Sequence, residues 1–258
     1  MIEIRKLKTV EEFKKTADIQ KSAWGVNDIE IDPHFLMTRA QKFGGLVHGL
    51  FIKNKLVGFT YGILGKWKRE IFFFSYMAAV RREYQGRGYG FLLKKAQRTE
   101  VLKMGHNIIR WNFDPLESLN AYFNFHRLGV VSSEYERNIY GEGESGLDEG
   151  LPTDRLLVTW NLTAERVIKK MEEKESKILE NIHASQIGKF DDSIAYIEIP
   201  SDIRSLKKKN LAEAHKWRMK TRNQFETFFK AGFVANEIVF SKNQQRIFYK
   251  LIKKENIK

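Results

Sequence analysis

The sequence predicts an α/β fold over residues 1–162, followed by an α+β extension over residues 163–258. Strand-like and helix-like stretches alternate through the first part, which is typical of a sheet flanked by helices. An apolar run at residues 71–80 has the length and composition of a strand, and apolar side chains recur at helical spacing over residues 91–104. From Thr163 the chain changes to a charged helical stretch, which marks the start of the extension.

The chain ahead of the apolar run is predicted to contain a strand, two helices and a hairpin. These elements are a strand at residues 2–7, a helix from residue 10 to Gly25, a short helix after Pro33, and strands at residues 46–52 and 56–64. Thr9 is the expected N-cap of the first helix, and Glu12 is expected to complete a capping box. Gly44 and Gly45 are expected to end the second helix.

Further strands and helices are expected beyond the helix at residues 91–104. In the first part they are a strand at residues 107–113, a helix at residues 116–128, and strands at residues 130–140 and 156–162. Gly129 is expected to end that helix in a left-handed conformation, and residues 141–150 to form a loop. The extension is expected to hold helices at residues 164–178 and 210–231 and strands at residues 194–199, 233–240 and 246–252.

A glycine-rich loop, Gln-Gly-Arg-Gly-Tyr-Gly, occupies residues 85–90 between the apolar run and the helix. Gly86, Gly88 and Gly90 let the backbone turn sharply, and no Cβ shields their amides from a bulky anion. A helix that starts directly afterwards adds unpaired N–H groups and the positive end of its dipole. The loop is therefore a candidate phosphate-binding cradle, with a tight turn that binds no ligand as the alternative interpretation.

The cradle differs from two well-known phosphate-binding motifs. It lacks the Gly-Lys-Ser/Thr ending of a P-loop, and its Gly-x-Gly-x-Gly spacing departs from the Gly-x-Gly-x-x-Gly of a dinucleotide fingerprint. Arg81, Arg82 and Arg87 add positive charge beside the loop. This charge favours a pyrophosphate over a neutral ligand.

The cradle and a second motif together resemble the GNAT superfamily of acyl-CoA N-acyltransferases. Gln85, Gly88 and Gly90 fit that family's Gln/Arg-x-x-Gly-x-Gly/Ala pattern. Val-Arg-Arg-Glu-Tyr at residues 80–84 is similar to the family's lead-in, with arginine in place of the usual proline. Residues 121–130, Ala-Tyr-Phe-Asn-Phe-His-Arg-Leu-Gly-Val, look like the family's second motif, and the chain as a whole looks most like a subgroup of larger predicted acetyltransferases.

The resemblance implies a GNAT-type fold for residues 1–162, with a mixed, mostly antiparallel sheet flanked by helices. It also implies acetyl-CoA or another acyl-CoA as co-substrate, held by the cradle, the end of the strand before it and the second motif. The residues implied in this binding are Ala78, Val80, Gln85, Gly86, Arg87, Gly88, Tyr89, Gly90, Asn120 and Asn124. The match is weak over residues 163–258, which are either a degenerate second half of the same fold or an α+β extension packed against the core.

A few side chains are candidates for acid-base chemistry, because acylation of an amine needs a deprotonated nucleophile and a proton for the leaving thiolate. The GNAT pattern often places a tyrosine acid four residues before the second motif's glycine, but Phe125 stands there in this chain. Tyr122 and His126 are the expected substitutes, and Glu83 and Tyr76 are the candidate bases. His126, Glu83 and Tyr76 also have plain interpretations as a surface or hydrogen-bonded residue, a turn residue and a core residue.

Composition limits the classes of protein and of site that fit the chain. No apolar run approaches the roughly 18 residues of a membrane span, and the first residues lack a signal-peptide pattern, so a cytoplasmic protein without membrane contact is expected. The chain has no cysteine, which excludes disulfides, thiolate zinc sites and cysteine nucleophiles. No metal site is expected, and an oligomer is compatible with the sequence.

The net charge of +13 is concentrated near the C-terminal end, where residues 201–258 hold 15 Lys and Arg against 5 Asp and Glu. His215, Arg218 and Arg222 form one stripe at helical spacing. A solvated face with Arg222 paired to Glu226 is the favoured interpretation, ahead of an anionic acceptor or nucleic acid. The expected function is direct transfer of an acetyl or other acyl group from CoA to a primary amine. The alternative is a CoA-binding or nucleic-acid-binding module that has lost catalysis.

Overall fold

The computed structural model describes residues 1–142, 149–172, 193–241 and 245–256. Within these ranges the chain divides into two compact units. The first comprises Met1–Trp111, and the second contains the described residues from Asn112 onward. The predicted boundary after Leu162, between a core and an extension, stays a prediction. No helix in these ranges has both the length and the apolar character needed to cross a bilayer.

The first unit follows the predicted order of strand, helices, hairpin, long strand, cradle and helix. Its elements are β1 Ile2–Lys6, α1 Val10–Lys14, α2 Thr16–Trp24, α3 His34–Lys42, β2 Leu46–Ile52, β3 Lys55–Trp67, β4 Glu70–Val80, α4 Tyr89–Lys103 and β5 Ile108–Phe113. The unit boundary falls inside β5. The single helix predicted from residue 10 to Gly25 is divided into α1 and α2. Thr16 donates its hydroxyl hydrogen to the carbonyl of Phe13 (2.7 Å), a local bond that competes with regular helix pairing.

The start of α1 confirms one half of the predicted capping box. Thr9 has an extended backbone, and its hydroxyl accepts from the N–H of Glu12 (3.3 Å). The carboxylate of Glu12 accepts from the N–H of Lys8 (2.7 Å) and pairs with Arg5 (2.6 Å). The Arg5 guanidinium, together with these backbone hydrogen bonds, outweighs the effect of burial and lowers the pKa of Glu12 to about 2.

The sheet of the first unit has the order β1-β2-β3-β4-β5. The first four strands pair antiparallel, and β4 and β5 pair parallel. Helices cover both faces, which is why β2 and the first part of β3 are buried almost without interruption rather than alternately. On one face, Phe13, Ile19 and Met37 of α1 to α3 pack with Phe59 and Met77 of the sheet. On the other face, Leu93 of α4 packs with Leu50 and Val57.

The strands of the second unit pair antiparallel, and the unit has its own core. Its elements are α5 Ser118–Ala121, a π-helix Tyr122–Leu128, β6 Val131–Glu136, β7 Arg155–Asn161, α6 Glu165–Glu172, β8 Ile194–Ile199, α7 Ile203–Lys209, α8 Leu211–Lys230, β9 Phe233–Ser241 and β10 Arg246–Lys253. The strand order is β7-β6-β9-β10-β8. Aromatic rings fill the space beneath α8, where Phe225 lies 5.0 Å from Tyr249 and 5.6 Å from Tyr135 between ring centroids.

Two predicted elements of the second unit differ from the structure, and one observed helix was not predicted. The helix expected at residues 116–128 begins at Ser118 and continues as the π-helix, and Gly129 ends it with φ +77°, as predicted. The strand expected at residues 130–140 stops at Glu136, because Asn138 takes a left-handed backbone (φ +46°) and donates its N–H to Asp154. The sequence did not predict α7. Residues 143–148 of the expected loop and residues 173–178 of the expected helix lie outside the described residues.

Candidate functional site

The glycine-rich loop connects the end of β4 to the start of α4. A short 3-10 turn at Arg82–Tyr84 leaves the strand, and the Gln85 side-chain amide donates back to the carbonyl of Val80 (2.9 Å). Gly86 and Gly88 have φ of +74° and +78°, and Gly88 is the N-cap of α4. Gln85 therefore closes the base of the loop, and the two left-handed glycines turn the chain into the helix.

The loop presents a run of backbone donors to the surface. The first N–H groups of an α-helix have no intrahelical acceptor. Within the described ranges, the backbone N–H groups of residues 86–90 donate to no backbone acceptor. A Cβ added at Gly86 or Gly88 would meet nothing within 4 Å, so the space in front of these amides is open. An anion can approach the donors there, on the positive end of the α4 dipole.

The three arginines beside the cradle are placed differently. Arg87 and Arg82 are exposed, and the guanidinium of Arg87 lies 5.8 Å from the ring centroid of Tyr84. Arg81 is directed to α2, where it lies 3.6 Å from the carboxylate of Asp18. Arg87 is thus the cationic side chain within the loop itself, and Arg81 is partly neutralised.

Next to the cradle, β4 and β5 separate. Their parallel pairing comprises Phe73 with Ile109 and Phe74 with Arg110. Beyond Phe74 no further β5 partner of β4 is found among the described residues, although β4 continues to Val80. The opposite edge of β4 stays paired with β3 as far as Val80. One edge of this part of β4, which includes Ala78, is therefore open to an extended ligand.

The separation of the strands begins at an irregularity in β4. Tyr61 of β3 pairs with Met77 and Ile63 pairs with Phe74, so Ser75 and Tyr76 both stand opposite Gly62. This is the two-against-one pattern of a β-bulge, which bends and twists a strand and often lies beside active sites. We refer to the point at which β4 and β5 part, just after Phe74 and Arg110, as the fork.

The candidate bases near the cradle lie in the first unit. Glu83 is exposed on the turn that precedes the loop. Tyr76 is half exposed, and its ring centroid lies 5.7 Å from that of Tyr61 and 6.2 Å from that of Phe74. Tyr76 is therefore accessible on the bulge rather than a buried core residue.

The candidate acids lie on the π-helix of the second unit. The rings of Tyr122 and His126 stack with centroids 5.1 Å apart. The Nδ1 of His126 lies 3.3 Å from the carboxylate of Glu237, and Lys170 donates to that carboxylate (3.1 Å) and to the His126 carbonyl (2.5 Å). Burial opposes ionisation of Glu237, but its contacts with His126 and Lys170 outweigh this and lower its pKa. The structure thus gives His126 a carboxylate partner that the sequence did not indicate.

The remaining residues of the second motif have unequal exposure. Asn120 is exposed, whereas Asn124 is 4% exposed. Phe125 is fully buried, and its ring lies 5.4 Å from that of Tyr249 and 6.2 Å from that of Phe113. The phenyl ring at the usual tyrosine position is therefore part of the core of the second unit.

The basic stripe on α8 differs from the predicted solvated face. His215 is exposed, but Arg218 is 1% exposed and forms two hydrogen bonds with Asp114 (2.9 and 2.6 Å). Arg222 pairs with the fully buried Asp154 (2.7 Å to each oxygen), and Glu226 pairs with Arg137 instead. The predicted pairing of Arg222 with Glu226 is therefore wrong. Two of the three basic side chains therefore form ion pairs with carboxylates inside the second unit.

Comparison with solved structures identifies the fold. The ribosomal-protein-S18-alanine N-acetyltransferase from Escherichia coli matches with a TM-score of 0.50 at 16% identity, over 64% of this chain and 96% of that one. An aminoglycoside 6′-acetyltransferase type Ii matches with a TM-score of 0.50 at 13% identity, over 63% and 99%. A chain of the NatC complex bound to Gag peptide and CoA matches with a TM-score of 0.50 at 13% identity, over 63% of this chain and 99% of that one. No protein-family model and no curated protein matches the chain. These likenesses show that the chain has the GNAT fold, a mixed, mostly antiparallel sheet flanked by helices, as predicted.

Proposed function

We propose that this protein is an N-acyltransferase that moves an acetyl or other acyl group directly from CoA to a primary amine. The observation that carries the proposal is the open row of backbone donors at residues 86–90, in a chain with the GNAT fold. A row of N–H groups at a helix start suits a pyrophosphate. The NatC complex, one chain of which has the same fold, is bound to CoA, which supports acyl-CoA as the co-substrate.

The chain offers groups for each part of such a ligand. The N–H groups of Gly86, Gly88 and Gly90 would hold the pyrophosphate, with Arg87 supplying positive charge. The open edge of β4, including Ala78 and Val80, would bond an extended arm in the manner of an added strand. Asn120 and Asn124 stay proposals for the same arm. Acyl-CoA would supply the activated acyl group, and the protein would bind it, orient it and move protons.

The acid-base assignment is also part of the proposal. Glu83 and the half-exposed Tyr76 are candidates for taking the proton of the amine. Tyr122 and His126 are candidates for protonating the leaving thiolate, with Glu237 orienting His126. Phe125 cannot donate a proton, and its complete burial supports a purely structural role. The absence of cysteine is compatible with a cytoplasmic place of action.

The first test is calorimetric titration with acetyl-CoA of the wild type and of Gly88→Glu. The glutamate places a side chain and a negative charge in front of the donors, and we expect acetyl-CoA to bind at least about tenfold more weakly. The matched control is Gly105→Glu at the other end of α4, where φ is +82° and a Cβ also meets nothing within 4 Å. It imposes the same backbone strain and the same charge, and we expect binding to stay unchanged.

Two results would contradict the proposal. If the wild type does not bind acetyl-CoA, the loop is only a turn. If Gly88→Glu and Gly105→Glu weaken binding equally, the effect is one of stability or net charge and the cradle is not the site. If instead the wild type binds acetyl-CoA and only Gly88→Glu weakens this binding, a screen of primary amines that measures thiol release would identify the acceptor.

The same measurements separate the proposal from the alternative of a module that has lost catalysis. Such a module would bind acetyl-CoA or nucleic acid without releasing thiol in the presence of any amine. Burial of Arg218 and Arg222 in ion pairs argues against a phosphate-binding face on α8. Binding to duplex DNA or tRNA that falls steeply with salt would favour the alternative.

A further inference from the structure

A partly buried carboxylate lies just before α3, inside the first unit. Asp32 is the second residue ahead of the helix. In the described ranges both of its hydrogen bonds involve its backbone, and no described residue bonds or pairs with its carboxylate. Pro33 is the N-cap of α3, and no side chain caps this helix. The carboxylate of Asp32 is therefore not used for capping, which is a common role of an aspartate in front of a helix.

The backbone of Asp32 is held from two sides. Gln20 on α2 is fully buried, and its side-chain amide donates to the Asp32 carbonyl (3.2 Å). The side-chain oxygen of Gln20 accepts from the N–H of Asp32 (2.9 Å). Pro33 restricts the residue before it to an extended backbone. A buried glutamine and a proline together fix the position of this one carboxylate.

The charge of Asp32 is unfavourable for folding. Partial burial raises the pKa of Asp32, and no charged group in the described part of the chain offsets this effect. A pKa that is higher in the folded than in the unfolded state means that the ionised carboxylate destabilises the fold at neutral pH. A bound cation would remove this cost. Rigidly held groups that oppose stability are concentrated at binding sites.

Two tyrosine rings lie on the same side of the sheet as Asp32. Tyr61 of β3 shares a core cluster with Ile19 of α2 and Met37 of α3. Burial and, to a smaller extent, the charge of Asp32 raise the pKa of Tyr61, so the two groups are close enough to interact. The ring centroid of Tyr61 lies 5.7 Å from that of the half-exposed Tyr76. Aromatic ring faces attract organic cations.

The combination of one carboxylate with aromatic rings suits an organic ammonium group. An ammonium donates hydrogen bonds to a carboxylate, and its positive charge interacts favourably with ring faces. A metal ion needs several ligands of its own. Among the described residues there is no group of three or more His, Cys, Asp or Glu side chains that could supply them.

Tyr61 connects this place to the open edge of β4. It pairs with Met77, the third residue of β4 beyond the fork. The next residue, Ala78, belongs to the edge at which the arm of acyl-CoA is proposed to bind. Tyr61 and Met77 both lie in the cluster beneath α1 to α3, on the face of the sheet away from α4. A ligand at Asp32 would therefore lie beside the open edge, on the face opposite the helix that follows the cradle.

We propose that Asp32 is a specificity-determining residue for the acceptor, which binds the ammonium group of a primary amine beside the rings of Tyr61 and Tyr76. The inference rests on the proposed function, because it names the chemical class of the acceptor. That class is an alkylammonium ion, in preference to a neutral amine or an amide. The bound ammonium loses one proton before its nitrogen attacks the thioester carbon, and Glu83 and Tyr76 are the candidates for accepting that proton.

The test is an NMR titration at pH 7 with butylammonium chloride, with 1-butanol as the uncharged control. The backbone amides of Asp32, Tyr61 and Tyr76 are followed in the wild type, in Asp32→Asn and in Asp28→Asn. The last variant removes the same charge from a carboxylate four residues earlier, whose side chain is 84% exposed. We expect Asp32→Asn to bind butylammonium at least about tenfold more weakly, Asp28→Asn to bind it like the wild type, and 1-butanol to give no saturable shift.

Urea denaturation gives a second readout that a purely structural carboxylate would move in the opposite direction. We expect Asp32→Asn to raise the denaturation midpoint at pH 7, because it removes an unfavourable charge from the fold. Butylammonium should raise the midpoint of the wild type and not that of Asp32→Asn. A lower midpoint in Asp32→Asn, or failure of this variant to fold, would show that the carboxylate serves the structure and would overturn the proposal.

The outcomes also separate this proposal from the proposed function. Equal butylammonium affinities in the three proteins, or equal responses to butylammonium and 1-butanol, would overturn the role of Asp32 and leave the cradle untouched. We expect acetyl-CoA to bind Asp32→Asn as it binds the wild type. With an acceptor from the amine screen, Asp32→Asn should raise KM for the amine at least about tenfold and leave KM for acetyl-CoA unchanged. If the wild type binds butylammonium but not acetyl-CoA, the ammonium site stands and its role in acyl transfer is overturned.

Discussion

Arg218 and Asp114 form a bidentate ion pair inside the second unit, although they are 104 residues apart in sequence. The side chain of Arg218 is 1% exposed and that of Asp114 is 13% exposed. The pair connects the middle of α8 to the segment that follows β5. This basic side chain of α8 therefore stabilises the interior of the second unit. The carboxylate of Asp114 overcomes the effect of burial and raises the pKa of Arg218, which stays charged.

Breaking this pair is expected to destabilise the protein strongly. Asp114→Asn leaves a buried guanidinium without its counter-charge, and we expect the free energy of unfolding to fall by about 3–5 kcal/mol in urea denaturation. The control is Glu165→Gln, which removes an exposed pair with Lys169 and should leave the free energy of unfolding almost unchanged. Equal effects of the two variants would show that Arg218 is not held by Asp114.

Burial of Lys94 on α4 lowers its pKa and predicts a specific dependence of stability on pH. Its pKa is about 7 in the folded state and near 10.5 in the unfolded chain, so the unfolded state binds more protons between these values. The free energy of unfolding therefore rises as the pH increases from 7 to 10.5, by on the order of 4 kcal/mol, and the full penalty applies below pH 7.

Lys94→Met removes the contribution of Lys94 to the pH dependence of the free energy of unfolding. We expect urea denaturation at pH 6, 7.5 and 9 to show a variant whose stability, relative to the wild type, is greatest at pH 6 and declines as the pH rises. Gln97→Met, which removes a side-chain oxygen that accepts a hydrogen bond from Lys94 and adds no titrating group, is the control and should keep the wild-type slope. Parallel profiles for the wild type and Lys94→Met would contradict the buried, uncharged lysine.

His48 predicts a second transition at lower pH. Burial lowers its pKa to about 4 from an unfolded value near 6.5, and its Nδ1 has no hydrogen-bond partner in the described ranges. The unfolded chain binds the proton first, so stability falls as the pH drops from about 6.5 to 4. His48→Leu should lower the acid-unfolding midpoint measured by circular dichroism, and the same substitution at the partly exposed His106 should not.

Gly62 is expected to be intolerant of any side chain. A Cβ there would lie against the Phe73 ring and 2.7 Å from the Phe74 carbonyl. We expect Gly62→Ala to cost about 1–3 kcal/mol in urea denaturation. Gly65→Ala, whose nearest contact is the Phe72 ring at 3.0 Å, should cost less. A smaller cost at Gly62 than at Gly65 would contradict this close packing of β3 and β4.

The sequence was sufficient to predict the order of elements in the first unit and the position of the cradle. Periodicity and glycine placement are local signals. The conformation of the loop at residues 85–90 is determined by two left-handed glycines and by the α4 N-terminus, all within the same short stretch of sequence. The same holds for the Thr9 cap and for Gly129, where one residue and its neighbours decide the backbone.

Long-range side-chain partners could not be predicted in this way. Arg222 has Glu226 one turn away, but it bonds Asp154 from another element because that carboxylate is fully buried and needs a counter-charge. Glu237 and His126 are likewise 111 residues apart. One signal was present for Lys94. It shares the buried face of α4 with Leu93, Gln97 and Val101, and a lysine on an apolar face indicates a polar cluster beneath it.

The π-helix at Tyr122–Leu128 also has a consequence for chain length. Its bonds run from residue i to i+5, so each ring encloses one residue more than in an α-helix. Deleting one residue from this segment would replace a wide turn by an α-helical turn of about 3.6 residues, so the chain after it would keep nearly the same direction around the helix axis. The change would be confined to the segment itself, where the exposure of Phe125 and His126 would be altered. The extra residue between Ala121 and Gly129 therefore shapes the second motif rather than the strands that follow it.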